Sequence, residues 1–346
     1  MLFRSRAAID GKKFPDAGVK VNWHISPQTA GLGEIHEILL NASGWSAEMY
    51  MISVDDARFD TPDWDEIVRR KFAEFPDGVY LAFPHDPMSA GISTYPMFGW
   101  RWLQTIGKVF CNHFLYWFDD RWIHQVGEMA GRCAILPIVL YPIRGKGRTR
   151  RMRDLPFWTR FFQLTLGERK DWAEKLINVM HPENSPERKA AQSALETKAA
   201  EFAKEQDTFS DLYAVFQEER FTLHSPEERR AFNANSFKQE SLAVGKLIGL
   251  AQEQMAKMNF AEALKFLDGT FLSSIQSRHA RQMKAECLRA LGKNSEADQL
   301  DRETLAAWPE MNFFRRSFRF LGKVASDGKT MLVGMAHKGD KSAKPK

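Results

Sequence analysis

The sequence predicts an α/β unit, a sheet with flanking helices, followed by an all-α helical-repeat unit. Three observations carry that expectation. Short apolar runs alternate with amphipathic stretches from residue 49 to residue 140, the pattern of strands buried between helices. Beyond His181 the chain turns rich in Ala, Glu, Lys and Gln, and a helical period replaces the strand period. Near the end, Ala251 and Ala263 recur as Ala285 and Ala297, both offset by 34 residues. The expected division is 1–165 for the α/β domain, 166–240 for a helical connector, 241–312 for the repeats and 313–346 for a basic, partly disordered tail.

The first half is organised around Glu48-Met49-Tyr50-Met51-Ile52-Ser53-Val54-Asp55-Asp56. An apolar run that stops on two carboxylates reads as a buried strand whose carboxyl end faces the crevice where α/β proteins bind ligands. Adjacent carboxylates repel, and a divalent cation with oxygen ligands, Mg²⁺ or Mn²⁺, would offset that repulsion. A solvated acidic turn is the alternative. Before this strand, residues 18–23 alternate like a strand, and an amphipathic helix carries Ile35, Ile38, Leu39 and Leu40 up to Asn41-Ala42-Ser43-Gly44. After it, Thr61 and Pro62 have the chemistry of a cap and a first helical position, predicting a helix over 62–75. A strand over 78–83 follows, then a helix over 101–107 and one from within 116–123 to about 131. Arg132 to Leu140 reads as a strand in which Pro137 predicts an edge or a bulge.

Composition narrows the function classes. The chain has 346 residues, 44% apolar and 27% charged, as in ordinary globular proteins. Its three cysteines, Cys111, Cys133 and Cys287, are widely spaced and form no CxxC, so they predict buried thiols in a reducing compartment and a cytoplasmic location. No stretch has the length of a membrane span, and the N-terminus lacks a signal-peptide pattern. The net charge of +5 is concentrated in residues 144–153, a glycine-spaced basic loop able to meet phosphates or an anionic surface, or simply to stay solvated. No nucleic-acid-binding module accompanies it, so nucleic acid is not an expected partner.

The order of elements carries a resemblance. Strand, Val54-Asp55-Asp56, the helix after Phe59-Asp60-Thr61-Pro62-Asp63-Trp64-Asp65, the strand after Phe75-Pro76-Asp77-Gly78-Val79, Tyr95-Pro96 before a Trp-bearing helix, and Tyr116-Trp117-Phe118-Asp119-Asp120-Arg121-Trp122-Ile123 follow one another. Over residues 19–143 this resembles bacterial A-type-fold, family-2-like glycosyltransferases. The resemblance implies a metal-dependent transfer of sugar from a nucleotide-sugar donor, with Mn²⁺ or Mg²⁺ and the donor diphosphate held at Asp55 and Asp56. It implies a catalytic base at Asp119 or Asp120. Trp100, Trp117 and Trp122 have rings able to stack on a sugar or a base, against the alternative of core packing; Trp100 is taken as a donor-binding candidate. Two departures stand out. The chain begins too late to hold the family's first strand-helix unit, and no His follows the last core strand at Leu140-Tyr141-Pro142-Ile143. An incomplete donor site is therefore expected, and a catalytically degenerate fold acting as a protein-binding scaffold is the alternative.

The second half carries its own resemblance. Asn259-Phe260-Ala261-Glu262-Ala263-Leu264 and Asn294-Ser295-Glu296-Ala297, with Leu291-Gly292-Lys293 at a turn and Pro309 beyond, resemble about two tetratricopeptide repeats over 244–311. An ordinary pair of helical hairpins with Ala at the crossings is the alternative. Such repeats imply a protein or peptide partner. Upstream, Ser185-Pro186 and Ser225-Pro226-Glu227-Glu228 have the pattern of helix starts.

Overall fold

A computed structural model describes residues 32–53, 57–85, 95–114, 118–142, 155–214 and 226–308. The chain is mixed α/β, with a curled five-stranded sheet and many helices. The strands are β1 (Met49–Met51), β2 (Ala57–Phe59), β3 (Leu81–His85), β4 (Met97–Gly99) and β5 (Cys133–Pro142), in the order β1-β4-β3-β5-β2. β4 runs antiparallel to both β1 and β3, β5 runs parallel to β3, and β2 runs antiparallel to β5. β1, β3 and β5 therefore point the same way, and their carboxyl ends share one edge of the sheet.

The middle strand shows why the sheet forms. Val79 and Tyr80, which lead into β3, and Leu81, Ala82 and Phe83 within it are all buried, as a central strand covered on both faces requires. Val79, Leu81 and Phe83 belong to the larger core, and Tyr80 and Ala82 to a smaller one with Val68, Met97, Leu136 and Ile138. The alternation assigns each face its own helices. The expected bulge at Pro137 is present. Pairing with β3 runs in register up to Pro84 opposite Leu136, then jumps to His85 opposite Val139.

Two strands and one cap depart from the sequence expectations. β2 and β4 are three residues each, too short to show a period of two. Thr61 does not cap a helix. The second helix begins at Trp64, with Asp63 before it at φ 51 and no side-chain cap, while the Thr61 hydroxyl accepts a hydrogen bond from the Val139 N–H at 2.8 Å. β2 stops pairing with β5 at Phe59, so Thr61 and the Asp60 N–H, which donates to the Val139 carbonyl at 3.0 Å, satisfy backbone groups that the short strand leaves open.

The helices are α1 (Leu32–Ala42), α2 (Trp64–Ala73), α3 (Trp100–Ile106), α4 (Asp119–Met129), α5 (Leu155–Leu164), α6 (Leu166–Met180), α7 (Pro186–Ala214), α8 (Pro226–Ala256), α9 (Phe260–Thr270), α10 (Arg278–Ala290) and α11 (Asn294–Ala307). Ser185 opens α7 as its sequence suggests, its hydroxyl accepting from the Arg188 N–H at 3.1 Å. Ser225 and Pro309 lie outside the described residues. The larger core runs unbroken from the sheet through Trp122, Ile123 and Val126 of α4 and Trp172 and Leu176 of α6 to Leu247 and Ala251 of α8 and Leu267 of α9. The boundary expected at 165 thus falls between two helices that bury side chains in one core.

In the helical half, Ala251, Ala263, Ala285 and Ala297 are all buried, at most 1% exposed. The turns that join α8 to α9 and α10 to α11 repeat as well. Met258 (φ 59) and Gly292 (φ 77) both take left-handed backbone. The Met258 N–H donates to the Met255 carbonyl and Asn259 to Gln254, and Gly292 donates to Arg289 and Lys293 to Leu288, each at 2.9 Å. Every partner in the second turn lies one 34-residue period after its counterpart in the first.

Candidate functional site at the carboxyl edge of the sheet

α4 runs back along β3 and turns into β5. At its C-terminus Gly131 (φ 66) reverses the chain, the Arg132 N–H donates to the Gly127 carbonyl at 2.9 Å, and the Arg132 carbonyl accepts from the Leu81 N–H at 2.8 Å. Gly127 lies directly on the sheet, since a Cβ there would stand 2.8 Å from Leu81 Cδ2. One turn nearer the helix start, the His124 ring lies 5.2 Å from Phe83. At ~1.5 Å of rise per residue, the next turn brings Asp119 and Asp120 level with the carboxyl end of β3. The acidic turn thus faces the edge at which β1, β3 and β5 all end.

The two carboxyls differ. Asp119 is 6% exposed. Its Oδ1 lies 3.6 Å from the Cys111 thiol, and its Oδ2 has no partner among the described residues. Burial pushes its carboxyl well above the usual carboxylate range, and the charge of Asp120 pushes the same way; the Cys111 hydrogen bond opposes both. Burial also raises Asp120, against the lowering effect of the Arg121 N–H, which donates to its Oδ1 at 2.7 Å. Asp120 is only half-buried. Burial thus strengthens the hold of both carboxyls on a proton, and Asp120 is the more accessible of the two. Neither caps the helix in the usual sense. The cap position is Phe118, at φ 73 with no side-chain cap bond, buried against Phe162 at 5.0 Å. Left-handed backbone in a buried aromatic stores strain, and here it sits next to the acidic pair.

Asp55 and Asp56 lie outside the described residues, as do Trp117 and the basic loop 144–153. Met51 closes the strand before the pair, so in sequence Asp55 and Asp56 follow the carboxyl end of β1. No cluster of three side chains able to hold a metal ion occurs among the described residues. The groups at this edge that suit a hard cation are carboxylate oxygens, of which Asp120 is described and half-buried, while Asp119 is buried away from solvent. His85 ends β3 at the same edge and is exposed, a position not legible before its strand was located.

The structure does not bring Trp100 to this edge. Its N–H donates to the Glu48 carbonyl at 3.0 Å, so it sits at the start of β1 while the acidic pair follows the end. Trp122 is fully buried, T-shaped to Trp172 at 5.8 Å, and serves the core.

Behind the acidic turn lies a second polar cluster that sequence reasoning missed. Glu168 of α6 is bonded to His113 Nε2 at 3.0 Å and ion-paired to Lys246 of α8. These bonds and charges hold Glu168 at about 2 against the opposing effect of burial. The neighbouring Arg169 is fully buried, donates to the Phe162 carbonyl at 2.7 Å and lies 3.9 Å from the Phe162 ring centre. Burial lowers it to about 9. No spacing marks these residues, because His113, Glu168 and Lys246 come from segments far apart in the chain. No helix of the described residues is long and apolar enough to cross a membrane. No protein-family model, curated protein or solved structure matches the chain.

Proposed function

We propose that the chain is a metal-dependent glycosyltransferase acting on a nucleotide-sugar donor, with its chemistry at the carboxyl edge of the sheet. The observation that carries this reading is the pair Asp119-Asp120, placed at that edge with raised proton affinity on a helix that sequence order ties to Asp55-Asp56. Asp120 is the base: half-buried and reachable, it takes the proton of the acceptor hydroxyl as that oxygen attacks the sugar carbon. Asp119 is a positioning residue, buried beside Asp120 with its proton affinity raised by that burial. Asp55 and Asp56 would hold Mn²⁺ or Mg²⁺, which supplies positive charge against the departing diphosphate. A titration with Mn²⁺ and UDP-, GDP- and dTDP-sugars tests this. Binding or donor hydrolysis that Asp56→Ala abolishes supports it, and neither in any combination refutes it.

A second reading rests on a different observation. The repetition of the buried alanines and of the whole turn geometry at one 34-residue period supports a tetratricopeptide-like unit that binds a protein or peptide. In that reading the transferase fold is degenerate and the helices carry the function. It requires that donor binding be absent and that full-length protein retain a partner which charge reversal on α10 and α11 releases.

A further inference from the structure

We propose that the cleft between Trp45 and Trp100 is a separate binding site for one pyranose ring of a saccharide. It lies at the amino end of β1, away from the acidic turn, and does not depend on the transferase reading. The cavity is about 200 Å³, and Ser46, Ala47, Glu48 and Gln104 complete its walls.

Both indoles are held in place by unusual backbone. Trp45 has left-handed backbone at φ 55, which an aromatic residue adopts only under constraint. Its N–H donates to Ser43 Oγ at 3.4 Å, and its indole Nε1 donates to Asn41 Oδ1 at 3.0 Å, so the ring orientation is fixed from α1. Trp100 lies flat on Gly78, itself at φ 70, where a Cβ would stand 2.5 Å from Nε1 and 2.8 Å from Cε2. Gly99 in turn leaves room for the Gly78 carbonyl, which a Cβ would meet at 2.2 Å. Two glycines thus seat the indole, yet 37% of Trp100 stays exposed towards the cleft.

The polar groups around the rings choose the ligand. Among the described residues the Glu48 carboxylate forms no ion pair and the Gln104 side chain no hydrogen bond. A carboxylate accepts from two neighbouring hydroxyls, and an amide both donates and accepts. Rigid aromatic faces with mixed donors and acceptors suit a ring that has one apolar face and a rim of hydroxyls. An organic cation would use the rings and the Glu48 carboxylate but leave the Gln104 donor without a role, which favours the hydroxyl rim.

Saturation-transfer NMR on the full-length protein in EDTA tests the site apart from any metal-dependent one. The probes are the methyl pyranosides of glucose, galactose, mannose and N-acetylglucosamine, with choline as the cationic control. At least one pyranoside should receive saturation on its C–H protons, with a dissociation constant on the order of 1 mM for so small a ligand. Trp100→Ala should abolish the effect, and Glu48→Gln should weaken it about tenfold, the loss of one charge-assisted hydrogen bond. Gln104→Ala, on the exposed side of α3, should also weaken it and serves if Trp100→Ala does not fold. Preferential saturation of choline, no saturation of any pyranoside, or pyranoside binding unchanged by Glu48→Gln and Gln104→Ala would each overturn the proposal.

Discussion

Replacing Asp119 by Asn removes a titrating group without changing its shape, and the sign of the effect follows from its burial. In the folded protein the Asp119 carboxyl is raised well above its ordinary 3.8, first by burial and then by the charge of Asp120. Below 3.8 both folded and unfolded chains are protonated there, and the contribution to stability is fully present. Above 3.8 the unfolded chain ionises while the folded chain keeps its proton. Native protein then holds one more proton than unfolded, so stability falls as pH rises until the folded group also titrates. The Asn variant has no such proton. Wild type should therefore lose ~1.4 kcal/mol per pH unit relative to Asp119→Asn across that window. The assay is urea unfolding followed by tryptophan fluorescence on both proteins from about pH 4 to about pH 7, using the difference so that other groups cancel. Asp119→Asn should be the more stable protein at neutral pH. A difference that is flat with pH, or that favours wild type more as pH rises, would refute the placement of this carboxyl in the core.

Four further outcomes follow from packing, backbone and charge. Gly127→Ala forces a methyl to 2.8 Å from Leu81 and 3.0 Å from Cys133 Cβ; the overpacking exceeds the gain in helix propensity and should cost about 1–2 kcal/mol. Gly249→Ala, with nothing within 4 Å of its Cβ, should instead gain about 0.5–1 kcal/mol. In the repeated turns, Met258→Gly should raise stability and Gly292→Ala lower it, by about 1 kcal/mol each in urea unfolding, since both sites are left-handed. Glu168 is held at about 2, below its ordinary 4.5, so its contribution is complete above 4.5 and lost as pH falls towards 2. Glu168→Gln should be less stable than wild type at neutral pH by on the order of 2 kcal/mol, with the gap closing in acid denaturation.

Strands and helices long enough to show a period were legible in the sequence, and so was the bulge at Pro137. β2 and β4 were not, because three residues carry no period and form only through partners far along the chain. Thr61 shows the same limit. It reads as a helix cap, but its hydroxyl serves the N–H of Val139 in β5, a partner far along the chain. The acidic turn was visible as Asp119-Asp120, whereas the burial of Asp119 against Cys111, beside a more accessible Asp120, only the fold reveals. Trp100 was grouped with Asp55-Asp56 by residue type, and the position of β4 between β1 and β3 carries it to the other end of the strand. The 34-residue period was legible through its recurring alanines; that Met258 repeats the conformation of Gly292 was hidden by their difference in residue type.

The central claim is that Asp120 is the accessible base of a donor site at the carboxyl edge. It is tested most directly by the rate of sugar release from UDP-, GDP- and dTDP-sugars in Mn²⁺, compared between wild type, Asp120→Asn and Asp119→Asn. Turnover of one donor should fall on the order of a hundredfold or more in Asp120→Asn, as loss of a general base requires, and should survive within about tenfold in Asp119→Asn. Equal turnover in wild type and Asp120→Asn, or no turnover of any donor by wild type, would contradict it.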